Sequence, residues 1–403
     1  MRLFTVTILF IFLVLQTIFS QQISSDKRLQ PYIDVLTKEG KRPINFVLNV
    51  IKDYDLIIFD DGLHTAVEPF EFYQELIKTP AFNDTVKYIF LEVISINKQQ
   101  YLDAYFESEP ENVELLYPAF QDGFSGLGWP YKTYFDLLHT IYTINNSLPL
   151  DERFKVIGVA NPTYWSEIMT MQDVELFRKT LSSYDFLMYK TILSEMDEFK
   201  NGKKGIFLTN SRHAYKNIKD NKNEYYWNTG TYFYQKHPGK TYSIRFHNVN
   251  LFFVKNEKIT IKWDRIGNGI WDSAFKAHGN KPVAFTLKDN VFGQESYVGN
   301  HMLNAWPDQT MYDAYDALIF IGPLELMHKT AKVGFIYTNE FKNELERRYK
   351  ILFTEDQINK EIDEYNVKNL KELIDEIFVA EPQKILPQAK SIGLIDTWKN
   401  END

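Results

Sequence analysis

Five short apolar runs constrain this sequence most: Leu56 to Phe59 (LIIF), Tyr88 to Val93 (YIFLEV), Lys155 to Val159 (KVIGV), Gly205 to Leu208 (GIFL) and Ala317 to Ile321 (ALIFI). Runs this short and this continuous read as buried strands, because a parallel sheet covered on both faces leaves no solvent side for polar residues. Segments with helical character separate them. The alternation predicts an α/β fold, a largely parallel central sheet flanked by helices. Between the second and third runs, Asn97 to Arg153 is a helical insertion with periodicity around Tyr134, Leu138, Ile141 and Asn145. Asp173 to Phe199 reads as one or two helices that stop at Asn201 and Gly202. Tyr242 to Asp264 alternates at Ile244, Phe246, Leu251, Phe253, Ile259 and Ile261, which suggests two antiparallel strands extending the sheet. From about residue 338 to 403 the chain is charged and helical, and Thr354 with Gln357 fits a capping box.

Met1 to Ser20 carries one charge, Arg2, before a long uncharged stretch, and reads as a secretory signal peptide. The apolar stretch is nearly long enough to span a bilayer, so an uncleaved anchor is the alternative. With the leader removed, residues 21–403 form a single α/β domain in the periplasm or the medium, with no membrane partner. The chain has no cysteine, which excludes a lipid-attachment cysteine, disulfides and thiolate chemistry. A net charge of -9 argues against tracking nucleic-acid phosphates, so the expected partner is a small-molecule substrate or ligand. The abundant aromatic residues are read as core filling.

Polar residues gather just past the strand carboxyl ends, where α/β sheets bind ligands. Asp60, Asp61 and His64 follow the first run, Glu92 sits inside the second, Asn161 follows the third, Asn210, Ser211 and His213 the fourth, and Glu325 and His328 the fifth. A helix starting near Thr65 or Ala66 would put His64 at its amino-terminus and Glu68 on the same face. An imidazole beside a carboxylate is suited to general-base work near neutral pH. A carboxylate within an apolar strand, as Glu92 is, needs a buried partner or a chemical role. The candidate catalytic set is therefore Asp61, His64, Glu68, Glu92 and His213. "FDDGLHTA" and "LTNSRHAY" each place a histidine five residues after the last apolar residue of a strand. His139, His237 and His247 are expected to be structural. Gly267 to Gly279 lacks the order of a phosphate-binding loop, and no GxSxG elbow supports a serine hydrolase.

"DDGLHTAVEPF" resembles the first motif of the erythromycin-esterase-like proteins, Gly-Glu-x-x-His-Gly with an acid four residues beyond the histidine. Asp61 stands in the glutamate place, His64 in that of the histidine and Glu68 in that of the later acid. Glu92 matches the family's second carboxylate. "GKKGIFLTNSRHAY" resembles its later histidine-bearing strand, with His213 in the histidine place, and "YDAYDALIFIGP" its closing strand. Asp60 and Asp61 replace Gly-Glu, Thr65 replaces a glycine, Ala160 and Asn161 stand where an acid is usual, and Arg212 stands inside the last histidine motif. The resemblance implies an exported hydrolase that opens an ester or related bond with water activated by His64 and the carboxylates, without a cofactor. The wider superfamily, with its haem-uptake proteins and Tiki-type metalloproteases, keeps two alternatives open. One is a divalent metal such as zinc or manganese on His64, Glu92 and His213. The other is a non-enzymatic binder of haem or another small ligand, with tyrosines as iron ligands.

Overall fold

The computed structural model describes residues 27–255, 259–297, 305–306 and 308–395. The leader expected at residues 1–20 and the last residues of the charged tail lie outside them. All five apolar runs form strands: β1 (Leu56–Asp60), β2 (Val86–Ser95), β3 (Lys155–Ala160), β4 (Lys204–Thr209) and β9 (Ala317–Phe320). With β5 (Thr241–Phe246) and β8 (Val283–Thr286) they build a seven-stranded sheet in the order β3-β2-β4-β1-β5-β9-β8. Every neighbouring pair is parallel except β8 and β9.

Successive residues of β1 explain its unbroken apolar run. Ile57 and Phe59 enter one buried cluster, and Leu56 and Ile58 enter another on the opposite face. On the first face lie α1 (Glu68–Ile77) and α2 (Lys132–Ser147); on the second lie α3 (Tyr184–Glu195) and, past the short turn α4 (Ser211–Ala214), α5 (Thr229–Lys236).

The segment from Tyr242 to Asp264 departs from expectation. Its first part, β5, runs parallel inside the sheet between β1 and β9. The rest, β6 (Asn250–Lys255) and β7 (Ile259–Asp264), pairs as a separate antiparallel hairpin. Alternation reports that a strand has two unlike faces, but it does not say which strand lies beside it. The antiparallel edge of the main sheet is β8, whose four residues lack a periodic pattern long enough to read.

In the charged tail, helices Asn339–Leu352, Glu355–Glu364 and Leu370–Ile377 are capped by Thr338, Thr354 and Asn369, including the expected Thr354–Gln357 box. Their apolar faces, through Phe341, Leu345, Ile358 and Leu373, join the first buried cluster.

On α2 the periodic positions Tyr134, Leu138, Ile141 and Asn145 are all buried. Asn145 belongs there because its Oδ1 accepts the Phe154 N–H at 2.8 Å and its Nδ2 donates to the Phe154 carbonyl at 3.1 Å, tying the helix to the entry of β3. Asn145→Ala leaves both groups unsatisfied in the interior. We expect it to cost about 2–4 kcal/mol in urea denaturation. A change within about 0.5 kcal/mol, typical of surface positions, would show that water replaces the side chain.

Candidate active site

Adjacent strands β2, β4 and β1 bring the site together. Leu208 pairs with Phe59 on one side and with Leu91 on the other, so these three residues form one row across the sheet. Glu92 follows Leu91 directly, and His64 and His213 each lie five residues beyond their strand's member of that row. The repeated spacing seen in the sequence is therefore spatial: two neighbouring strands project an imidazole by turns of equal length.

The turns are built differently. After β1, Asp60 accepts the Gly62 N–H and the Ser211 hydroxyl, both at 2.8 Å, joining this turn to the one after β4. Gly62 has φ +71°, and a Cβ there would meet the Asn248 side chain at 2.8 Å, so the position requires glycine. Asn248 in turn donates to the Asp61 carbonyl at 3.0 Å. After β4, Asn210 caps α4, its Oδ1 accepting the Arg212 N–H at 2.9 Å.

Asp61 reaches His64 Nδ1 at 2.8 Å despite being one methylene shorter than glutamate. His64 Nε2 lies 3.2 Å from Glu92 Oε2. His213 Nε2 lies 3.2 Å from the other oxygen, Oε1. The Thr209 hydroxyl and the Asn210 N–H also donate to Glu92. His213 Nδ1 is held by Asp185 of α3 at 2.8 Å, and the same oxygen accepts the Thr229 N–H and hydroxyl at 2.8 and 2.9 Å. The result is two carboxylate-anchored imidazoles whose free nitrogens meet at one carboxylate. All of Asp61, His64, Glu92 and His213 are together, and Asp185 completes the set.

Asp185 was missed because an acid in the first turn of a helix reads as ordinary helix stabilisation. Glu68 is the correction in the other direction. The chain needs a longer turn than expected after His64, so α1 begins at Glu68 itself. There the carboxylate accepts the His328 N–H and pairs with its Nδ1, both at 2.9 Å. The expected Glu68–His64 partnership is not made. Glu325 pairs with Arg265 at 3.0 Å, and Asn161 donates to Thr180 at 3.1 Å. His139 stands on the exposed side of α2 against Glu111, and His237, at the end of α5, lies 2.9 Å from the Tyr189 hydroxyl.

Electrostatics follow from burial and charge. Burial disfavours a charged His213, yet Glu92 and Asp185 outweigh it and push the imidazole up to about 10. Burial likewise opposes a charged His64, and Asp61 and Glu92 raise it well above its ordinary value. For Glu92 burial acts upward, but His213 and His64 hold the carboxyl well below the usual range. Asp61 is lifted to about 6 by burial, which the His64 charge only partly offsets.

Asn210 distinguishes the two imidazoles. Because its Oδ1 is committed to the cap, its Nδ2 faces His64 Nε2 at 3.0 Å and presents a donor where a second proton would sit. Above the three residues opens a cleft of about 630 Å³, walled by Trp129, Tyr184, Phe124 and Trp227. The Trp129 indole stands edge-on to His64, 5.8 Å between ring centres. His64, Glu92 and His213, the residues that would hold a shared metal ion, are here paired with one another, each Nε2 lying 3.2 Å from a Glu92 oxygen. Among the described residues no three His, Asp or Glu side chains are placed to hold one.

No family profile and no curated protein matches the sequence. In fold the chain is similar to a Bacillus cereus protein, with a TM-score of 0.50 and 14% identity over 75% of this chain and 97% of that one. A succinoglycan biosynthesis protein gives 0.49 and 11% over 74% and 97%. The chain shares its fold with the Bacillus cereus protein. A mutant erythromycin esterase in its open conformation gives 0.47 and 10% over 71% and 97%. Among the described residues no helix is long and apolar enough to cross a membrane.

His213 makes folding stability depend on pH with a definite sign. Its affinity for a proton is higher folded, near 10, than at the ordinary value of 6.5. Its contribution is therefore complete below pH ~6.5 and is lost as pH rises through about 10. Denaturant midpoints should fall across that window, and His213→Gln should flatten the fall. A variant with the full wild-type slope would refute the assignment.

Proposed function

We propose that this chain is a hydrolase for carboxylic esters or related acyl bonds, working through water and its own side chains. The observation that carries this reading is the convergence of two anchored imidazoles on Glu92 at 3.2 Å each, on the floor of a cleft. Asp61 and Asp185 fix which ring nitrogen faces the substrate. Asp61 and Glu92 favour a proton on His64, but Asn210 sets a donor against its Nε2 that His213 does not meet, so His64 is assigned as the base and His213 as the acid.

In this reading His64 takes a proton from water as the oxygen attacks the carbonyl carbon. His213 gives its proton to the departing alcohol oxygen. One acid and one alcohol result, with the two imidazoles having exchanged protonation states. Glu92, touching both, is the path by which the proton returns.

A panel of chromogenic esters and lactones tests the reading. His64→Ala should lower kcat by at least about 100-fold while the far-UV spectrum stays that of the folded protein. Normal turnover by that variant would exclude His64 as the base. The rate should climb with pH as His64 sheds its proton, at a pH that Asp61 and Glu92 raise above the ordinary imidazole range, and decline as His213 loses its own near 10. Glu92→Gln removes a negative charge beside both rings, so both limbs should move to lower pH; unmoved limbs would mean that Glu92 does not set them. Turnover abolished by a chelator and restored by metal would overturn the metal-free mechanism.

A further inference from the structure

Arg212 is the feature of the cleft that hydrolysis alone leaves unexplained. Its side chain lines the cavity beside Asn210 and His213, and it is the only Lys or Arg among the described residues doing so. The nearby carboxylates are already committed, Glu92 to both imidazoles and Asp185 to His213 and Thr229. Among the described residues the Arg212 guanidinium has no ion pair or hydrogen bond of its own, although its backbone is held on both sides by Asn210 and Asn228. An unpaired guanidinium on a fixed backbone, at the mouth of a reactive cleft, is a recognition group for an oxyanion.

Large aromatic side chains beside it add a second requirement. Phe124, Tyr226 and Trp227 are 57%, 46% and 43% exposed, and all three line this cleft. Exposed aromatics clustered on one wall form a surface for a ring or apolar face. The charge balance narrows the anion. Asp61, Glu92 and Asp185 face only His64 and His213, so the floor carries an excess of carboxyl groups over imidazoles. A singly charged group is repelled less there than a dianion.

The geometry points to a substrate that carries a carboxylate, bound by Arg212, next to a ring or apolar face resting on Phe124, Tyr226 and Trp227. This rests on the hydrolase reading and names the substrate class for it.

Matched aryl esters differing only in a terminal carboxylate or its methyl ester provide the test, at low salt because the guanidinium is exposed. Wild-type kcat/KM should favour the acid at least about 10-fold, the effect of one charge-assisted hydrogen bond. Arg212→Met should bring that ratio near one, and Arg212→Lys should restore part of it. A ratio near one in the wild type, or one that survives Arg212→Met, overturns the inference while leaving the hydrolase in place. Calorimetry with the corresponding non-hydrolysable amides separates the two claims. If no ester is turned over, the hydrolase reading fails, and acid-selective binding lost in Arg212→Met still upholds the carboxylate site. Equal binding of acid and neutral amides overturns it, and tighter binding of a phosphate-bearing amide overturns the choice of a carboxylate.

Discussion

The whole site depends on one buried carboxylate. Glu92 is 7% exposed within the sheet, a position a lone charge cannot occupy without losing several kcal/mol of solvation. Its two oxygens are each met by an imidazole, one from the turn after adjacent β4 and one from the turn after β1 beyond it, and each imidazole is held from behind by a second acid. The topology follows this requirement. Strands β2 and β1 are consecutive in the chain, yet β4 is inserted between them, and in that order the turns after β4 and β1 both bring an imidazole to Glu92. Removing any member leaves its partner charged and dry, so the group stands or falls as a unit.

A second buried layer makes the departures from the family pattern intelligible. Where the motif has glycine, Asp60 is fully buried, and it is used: one oxygen joins the turns after β1 and β4 through Gly62 and Ser211, while the other lies 3.9 Å from buried Arg245. Arg245 is fixed by Asn250 at 2.6 Å, just before the hairpin. The extra acid therefore sits beneath the site as a brace between turns, and Asp61 alone meets His64.

What could be read from the sequence follows the range of the interactions. The parallel strands were legible because burial on both faces writes a continuous apolar run, and the positions of His64, Glu92 and His213 followed from the rule that strand ends carry sites. Asp185 was not legible, since its link to His213 is made by packing α3 against the sheet and leaves no local pattern. Glu68 was misread for the same reason in reverse. A spacing of four suggested a shared helical face with His64, but the turn runs on to Val67, and the true partner, His328, lies 260 residues away. The strand β8 and the β6–β7 hairpin show that short or alternating segments announce strands without announcing neighbours.

The charged C-terminal helices, which look like an appendage in the sequence, reach the site through one residue. Arg348, only 3% exposed, donates to the carbonyls of Gln121 and Gly126 at 3.1 Å each and pairs with Asp122 at 2.5 Å. Those residues bracket the loop that supplies Gly123, Phe124 and Ser125 to the cleft wall. Trp165 holds the same loop from below through its indole N–H to the Gly123 carbonyl at 2.8 Å, and its ring fills the space that a Cβ on Gly126 would need. The loop lacks helix or strand hydrogen bonds of its own across 122–129, so its shape is imposed by a guanidinium more than two hundred residues further along the chain. Burying that guanidinium is tolerable only because Glu344 and Asp122 neutralise it and four groups, two carbonyls and two carboxylates, saturate its planar fork. The part of the cleft wall that carries Phe124 is thus set by the tail, and the width of the cleft is a property of the whole chain.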